Sequence, residues 1–376
     1  MNTSVASVPR NLALWTSTSD LARTRWVVTD PEPPLQPGQA RLDIDLVALT
    51  ANNVTYGAFG ESMHYWDFFP TGEAGWGQIP TWGFATVSAS QAPGVEVGTR
   101  VYGYLPMART LVVTPGKAGP GGFADAVPHR AALPAIYNRY ATVLRDPLYR
   151  PEHEGLIAVL RPLFTTSFLI DDALAEAGHH GARQVVLSSA SSKTAYATAW
   201  CLAQRGDVKL VGLTSSRNLD FVRRLGVYHE VVAYDALASI GHEPAVYVDF
   251  AGRPDLRRAV HEHFGDALVC STAVGATDWQ HLANTDRRPL PGAKPQFFFA
   301  PTQAEKRLAE WGREGFGVRL GGAWTGFTAA VLGATPPWLT LREASGREGI
   351  EAAYREVLDG RLPADVAVVL RLAATA

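Results

Sequence analysis

A chain of 376 residues is long enough for two domains with separate cores, and 47% hydrophobic with 19% charged residues is a globular composition. The net charge of −2, with no block of basic residues, excludes nucleic acid or an anionic membrane as the main partner. The two cysteines, Cys201 and Cys270, exclude a disulfide framework and a four-cysteine zinc site; both lie in apolar patterns and read as buried thiols of a reducing cytoplasm.

The opening MNTSVASVPRNLALW lacks the charged and then apolar regions of a signal peptide, and no stretch approaches the roughly 18 apolar residues of a membrane span. Residues 40–50, ARLDIDLVALT, alternate at period two with Leu42, Ile44 and Leu46 on one face, which predicts a strand. Further strands are expected at 85–88, 99–105 and 110–114, separated by turns at Pro37-Gly38 and 116–122. Between them, residues 51–83 form a long connection rich in aromatic side chains, among them Tyr56, Tyr65, Trp66, Phe68, Phe69 and Trp82. A connection of that length is expected to be functional or flexible, and its aromatics favour an ordered lining.

Beyond residue 150 the pattern changes. A helix is expected over 156–177, stopped by Gly178-His179-His180-Gly181. Strands at 184–188, 208–214, 230–233, 245–250, 267–273 and 296–300 then alternate with helices at 193–204, 219–225 and 255–263. Such alternation predicts βαβ units and a doubly wound parallel sheet. The tail closes with a helix over 347–359, stopped by Gly360, and a valine-rich strand over 366–372.

This order resembles the medium-chain dehydrogenase/reductase superfamily, and within it the quinone-oxidoreductase branch. The resemblance covers nearly the whole chain and is carried by VVLSSASSKTAYATAWCLAQ, VKLVGLTSSRNLDFVRRLGVYHEVVAYD, VDFAGRPDL and ALVCSTAVGAT. It implies an α/β fold. A discontinuous, β-rich, GroES-like catalytic domain is expected over 1–150 and 318–376, and a Rossmann nucleotide-binding domain over 151–317. It also implies a homo-oligomer, a homodimer or a tetramer. The oddities of the sequence mark a divergent subfamily.

The family fingerprint spaces Ala/Gly, Gly and Gly three residues apart, because the backbone must approach a pyrophosphate. Here Ser189, Ser192 and Ala195 stand in those places. A serine-rich turn, with Ser191, Lys193 and Thr194 beside it, still offers backbone N–H groups at a helix N-terminus and adds hydroxyl donors. It can equally be a plain serine cap. Lys193-Thr194 resembles the end of a P-loop, but Leu187 and Ser192 occupy its two glycine positions, so the loop is not suited to a triphosphate.

An NAD-specific site would carry an acid after the second strand. Here that strand ends Thr214-Ser215-Ser216-Arg217, with no acid before Asp220; these donors suit a 2′-phosphate, or else cap the next helix. Tyr234 matches a tyrosine that approaches the same phosphate in the resembled branch. The cofactor implied is NADP(H). Thr165 and Thr166 match a segment that meets the nicotinamide in the family, and residues 297–299 one near the cofactor ring, although core or dimer interface is the simpler reading there.

Zinc-dependent relatives have a cysteine and a Gly-His-Glu where this chain reads LTANNVTYG and TWGFATV, and its ten histidines form no ligand spacing. No metal is expected. A zinc-free reductase then needs polar groups at the reacting oxygen. Asn52 begins an eight-residue step to Gly60 that matches the family, and Tyr56 is a candidate donor; Asn52 and Asn53 serve as well to shape a turn. Tyr137, Asn138 and Tyr140, flanking Arg139, form a second candidate cluster that either binds a carbonyl or carboxylate or packs at a domain junction.

The function expected is reduction of a carbonyl or activated alkene on a small, largely apolar substrate, without zinc. A non-redox lyase or isomerase on the same scaffold, and a non-catalytic NADPH-binding protein, remain open.

Overall fold

The computed structural model describes residues 11–28, 34–146, 148–274 and 289–372. The chain divides into two compact units: the first contains Met1–Val159, Leu341–Leu362 and Val366–Ala376, the second Leu160–Thr340 and Pro363–Asp365.

The first unit opens with β1 (Leu12–Ser17), β2 (Thr24–Val28) and β3 (Ala40–Leu49). Leu42, Ile44 and Leu46 of β3 are buried, as their alternation predicts. Residues 51–83 are more structured than expected. Helix α1 (Ala51–Ala58) starts because Asn53 Oδ1 accepts the Thr50 N–H at 2.7 Å while Asn53 Nδ2 donates to Pro80 O at 2.8 Å. A short 3₁₀ turn (Tyr65–Phe68) follows. Then come β4 (Trp76–Gly77), β5 (Pro80–Ser90), β6 (Arg100–Pro106), β7 (Thr110–Val113), β8 (Phe123–Ala124) and β9 (Arg139–Thr142).

Helix α2 (Glu154–Glu176) carries the chain into the second unit. There β10 (Gln184–Leu187), α3 (Lys193–Arg205), β11 (Lys209–Thr214), α4 (Leu219–Arg224), β12 (Glu230–Ala233), β13 (Ala245–Asp249), α5 (Pro254–Phe264), β14 (Leu268–Ala273) and β15 (Pro295–Phe297) alternate as expected. All six strands are parallel, in the order β12-β11-β10-β13-β14-β15. Counted within the unit this is 3-2-1-4-5-6, the order of a dinucleotide-binding sheet whose direction of winding reverses between its first and fourth strands. The turn at 275–277, read from the sequence as part of the fifth-strand motif, lies outside the described residues.

The second unit ends in α6 (Ala300–Gly333), a 34-residue helix broken at Gly312, where φ is 69°. Its seven glycines conceal it in the sequence, since glycine weakens a helix by roughly 1 kcal/mol per residue. What holds it is packing: Trp324, Phe327 and Val331 are buried, with the Phe327 ring 4.8 Å from Phe164 of α2 and 5.6 Å from Trp200 of α3. The helix runs through residue 318, so the boundary expected there falls after Thr340 instead.

The chain returns to the first unit with β16 (Thr340–Ser345), α7 (Gly346–Leu358) and β17 (Val366–Arg371). β17 pairs antiparallel with β3 in a sheet ordered β16-β17-β3-β5-β6-β9-β8, with β7 also on β3.

One expectation fails on burial and another in part. Cys270 is only partly buried, with its Sγ 3.6 Å from Thr272 Oγ1, whereas Cys201 is buried as expected. Phe297, expected in a core or a dimer interface, is exposed within the chain on the outermost strand β15, which overturns the core reading alone.

Candidate functional site

In the second unit the candidate cofactor residues gather at the carboxyl ends of β10, β11 and β12. The turn after β10 begins at Ser188, whose hydroxyl donates to Asp249 Oδ1 at 2.9 Å and accepts the N–H groups of Phe250 and Ala251 at 3.0 Å each. Asp249 is itself paired with Arg257 at 2.7 Å. The loop after β10 is thereby clamped to the loop after β13.

Ser189 follows with φ of 49°, in the left-handed region that favours glycine. The fingerprint's first position keeps a glycine-like backbone although its residue is serine. The Ser189 N–H donates to Tyr234 Oη at 3.2 Å, and the Ser192 N–H to Ser189 O at 2.7 Å, closing the turn. Ser192 caps α3, its Oγ accepting from the Ala195 N–H at 3.3 Å; this explains serine at the fingerprint's second position. Ser191 Oγ accepts from Asn218 Nδ2 at 3.0 Å, which ties the turn to the segment after β11.

Close approach of these loops is allowed at Gly212, where a Cβ would stand 3.1 Å from that of Ala190 and 3.0 Å from the Tyr228 ring. Lys193, in the first turn of α3, donates from Nζ to Ala364 O at 3.5 Å, and burial pulls its ammonium down to about 8 against a weak opposing pull from Asp365. The Thr194 carbonyl accepts from Ser167 Oγ at 2.8 Å. Thr165 spends its hydroxyl on Arg161 O at 2.8 Å inside α2, so the helix reaches the serine turn through Ser167, which the sequence pattern did not single out.

At the end of β11, Thr214 is buried and its Oγ1 has no hydrogen-bond partner, an orphaned donor of the kind a bound ligand satisfies. Ser215 is half-buried, while Ser216 and Arg217 are exposed. The next acid, Asp220, is exposed beside Arg223 at 3.5 Å. Arg253, also absent from the sequence reading, places its guanidinium carbon 5.7 Å from the Tyr234 ring centre. An orphaned hydroxyl, a glycine-conformation turn at a helix start and a carboxylate-free strand end together fit a phosphate-bearing dinucleotide.

The candidate catalytic residues lie in the first unit and separate into two groups. Tyr56 and Tyr137 belong to an aromatic cluster with Tyr65, Phe68, Trp82 and Tyr104. The Tyr56 ring is 4.6 Å from Tyr65 and 5.5 Å from Tyr104, and Tyr137 is 4.7 Å from Tyr104. Trp82 Nε1 donates to Tyr56 Oη at 3.4 Å, and the Asn52 side chain, one helical turn back on α1, reaches the same hydroxyl. Burial pushes the Tyr56, Tyr104 and Tyr137 phenols well above the usual tyrosine range, so they stay protonated. Tyr65 and Tyr104, not singled out as site residues from the sequence, complete this set of phenols.

Tyr140 and Asn138 face elsewhere, and the structure gives them packing roles. Tyr140 is fully buried, donating to Tyr104 O at 2.9 Å and accepting from Arg130 Nη1 at 3.3 Å. Asn138 Nδ2 donates to Arg130 O at 3.0 Å. Both hold Arg130, a buried cation paired with Asp125 at 3.4 Å. Tyr137 and Tyr140 diverge because the 3₁₀ turn Ala135–Asn138 gives way to strand β9 between them.

Among the described residues no group of three or more His, Cys, Asp or Glu side chains is gathered as metal ligands would be, and no helix is long and apolar enough to cross a membrane.

A GroES-like β-rich domain with a 3-2-1-4-5-6 parallel sheet is the fold of the medium-chain dehydrogenase/reductase proteins. CurA from Vibrio vulnificus superposes with a TM-score of 0.62 at 14% identity, covering 97% of this chain and 100% of that one. CurA in complex with NADPH gives 0.62 at 15%, covering 93% and 94%. A putative NADPH:quinone reductase from Mesorhizobium loti gives 0.58 at 14%, covering 97% and 99%. At such identities the likeness is one of fold. No curated protein matches the chain. The chain belongs to the family described as "Protein of unknown function (DUF2855)", which matches it over residues 47–363.

Proposed function

We propose that this protein is an NADP(H)-dependent oxidoreductase that reduces a carbonyl or an activated alkene of a small, largely apolar substrate without zinc. The observation that carries this reading is the serine turn after β10, held in a glycine-like backbone by Tyr234 beside a strand end that bears no carboxylate. The NADPH complex of CurA, a protein of the same fold, supports it.

In this reading the backbone of residues 189–192 and the first turn of α3 hold the diphosphate, aided by Lys193 and Thr194. Thr214, Ser215, Ser216, Arg217 and Tyr234 receive the ribose and its 2′-phosphate. The cofactor, when bound, supplies the hydride. The chain's own contribution is to bind the substrate oxygen and provide its proton. Tyr56 holds that proton on Oη, fixed by Trp82 and Asn52, with Tyr137 as a second donor, and the surrounding rings keep water away. A homodimer, working in the cytoplasm, belongs to the same proposal.

The test is a fluorescence titration with NADPH, NADH and ATP in turn. Tight NADPH binding, weak NADH binding and loss of NADPH binding in Arg217→Ala are expected. A protein that binds no dinucleotide would sink the reading. NADPH binding without consumption across a panel of enones and ketones would move it to a non-redox role.

A further inference from the structure

We propose that Arg253 is a phosphate-binding residue of the dinucleotide site, held ready by Asp255, which a phosphate of the cofactor displaces. The inference rests on the NADP(H) reading above and adds to it a contact from the loop after β13, which no resemblance supplied.

Three strand ends meet here. Ser189 follows β10, Tyr234 follows β12 and Arg253 follows β13. β12 is two strands from β10 on one side, and β13 adjoins β10 on the other. Tyr234 nevertheless reaches the Ser189 N–H at 3.2 Å, and the Arg253 guanidinium lies over the Tyr234 ring at 5.7 Å. Arg253 and Tyr234 therefore converge on the turn after β10, beside the reversal of winding where ligands of such sheets bind.

The base of Arg253 is fixed. Ser188 accepts the Phe250 and Ala251 N–H groups, and Asp249 Oδ1 accepts the Gly252 N–H at 3.0 Å. The cation pairs with Asp255 at the surface. Its Nε donates to Asp255 Oδ1 at 3.2 Å and its Nη2 to Oδ2, while the Asp255 side chain is 64% exposed against 29% for Arg253. A carboxylate so wet gains little from an ion pair. A phosphate offers the same guanidinium two acceptor oxygens and a larger charge, and arginine takes it as a bidentate partner. Exchange of Asp255 for phosphate would leave the guanidinium within cation–π distance of the Tyr234 ring.

The experiment measures dissociation constants of NADPH and NADH for the wild-type protein and for Arg253→Ala, Arg253→Lys and Asp255→Asn, with thermal unfolding of each variant as a folding control. Arg253→Ala is expected to weaken binding about tenfold. Arg253→Lys should recover part of the loss. Asp255→Asn, which removes the competing carboxylate charge, should tighten binding severalfold. A loss confined to NADPH identifies the 2′-phosphate, and an equal loss for NADH identifies the diphosphate; either supports the assignment. Unchanged affinity for both nucleotides in folded Arg253→Ala and Asp255→Asn overturns it while leaving the cofactor reading intact. A wild-type protein that binds neither nucleotide overturns both.

Discussion

The backbone N–H of Ser189 donates to the phenol oxygen of Tyr234 across 3.2 Å, and Ser189 makes that bond with φ at 49°. A side chain other than glycine in this region costs roughly 1–2 kcal/mol, more for a β-branched one. Ser189→Gly should therefore leave stability unchanged or slightly raised, whereas Ser189→Val should lose about 2 kcal/mol. Urea denaturation of the three proteins measures this. Equal stability of the valine variant would mean that the turn is not left-handed in solution.

Lys193 carries a pH signature. Burial sets its folded-state value at about 8, below the ordinary 10.5 that it regains on unfolding. Between those two values the unfolded chain binds the extra proton, so stability rises as pH climbs through that window. Nucleotide affinity runs the other way, since the ammonium that would meet the diphosphate is lost as pH passes about 8. Chemical denaturation and NADPH titration from pH 7 to pH 10 should show these opposite slopes, and Lys193→Met should flatten both.

The alternation of strands and helices in the second unit is legible because each element is short and has one type of neighbour. From β10 to α5 the expected and observed bounds agree closely, down to Glu230–Ala233 for β12. Helix α6 is not legible, because seven glycines suppress its propensity and only the buried rings of Trp324 and Phe327 hold it. The helix α1 is hidden in a stretch that reads as a loop, since its start depends on Asn53 reaching Pro80, 27 residues away. In the candidate site, the serine turn and Tyr234 stand out by their place after predicted strands. Arg253 does not, because its position over the Tyr234 ring is created by the Ser188 clamp between two loops.

Tyr56 should separate chemistry from binding. Its hydroxyl receives the Trp82 N–H and is kept protonated by burial. Removing a positioned proton donor typically costs 10²–10⁴ in rate. Tyr56→Phe should lower kcat for an accepted enone or ketone by about a hundredfold and leave the NADPH dissociation constant unchanged, since the nucleotide residues belong to the other unit. Unaltered kcat would remove Tyr56 from the reaction and pass the role to Tyr137.

Tyr140 should behave in the opposite way, although the sequence places it beside Tyr137. Its hydroxyl lies wholly inside the first unit, donating to Tyr104 O at 2.9 Å and accepting from the buried Arg130. Tyr140→Phe leaves that carbonyl and that guanidinium each short of a partner, and a buried group so deprived costs about 1–3 kcal/mol. Arg130→Ala goes further, because it leaves Asp125 buried without its cation, a change that costs roughly 3–5 kcal/mol. Burial raises the Asp125 carboxyl against the pull of Arg130, so the variant should also take up a proton there more readily. Denaturant midpoints should fall in the order wild type, Tyr140→Phe, Arg130→Ala, with nucleotide affinity unaltered in whichever variants stay folded. A Tyr140→Phe protein of normal stability but impaired turnover would return Tyr140 to the site and show that its bond to Tyr104 opens during the reaction.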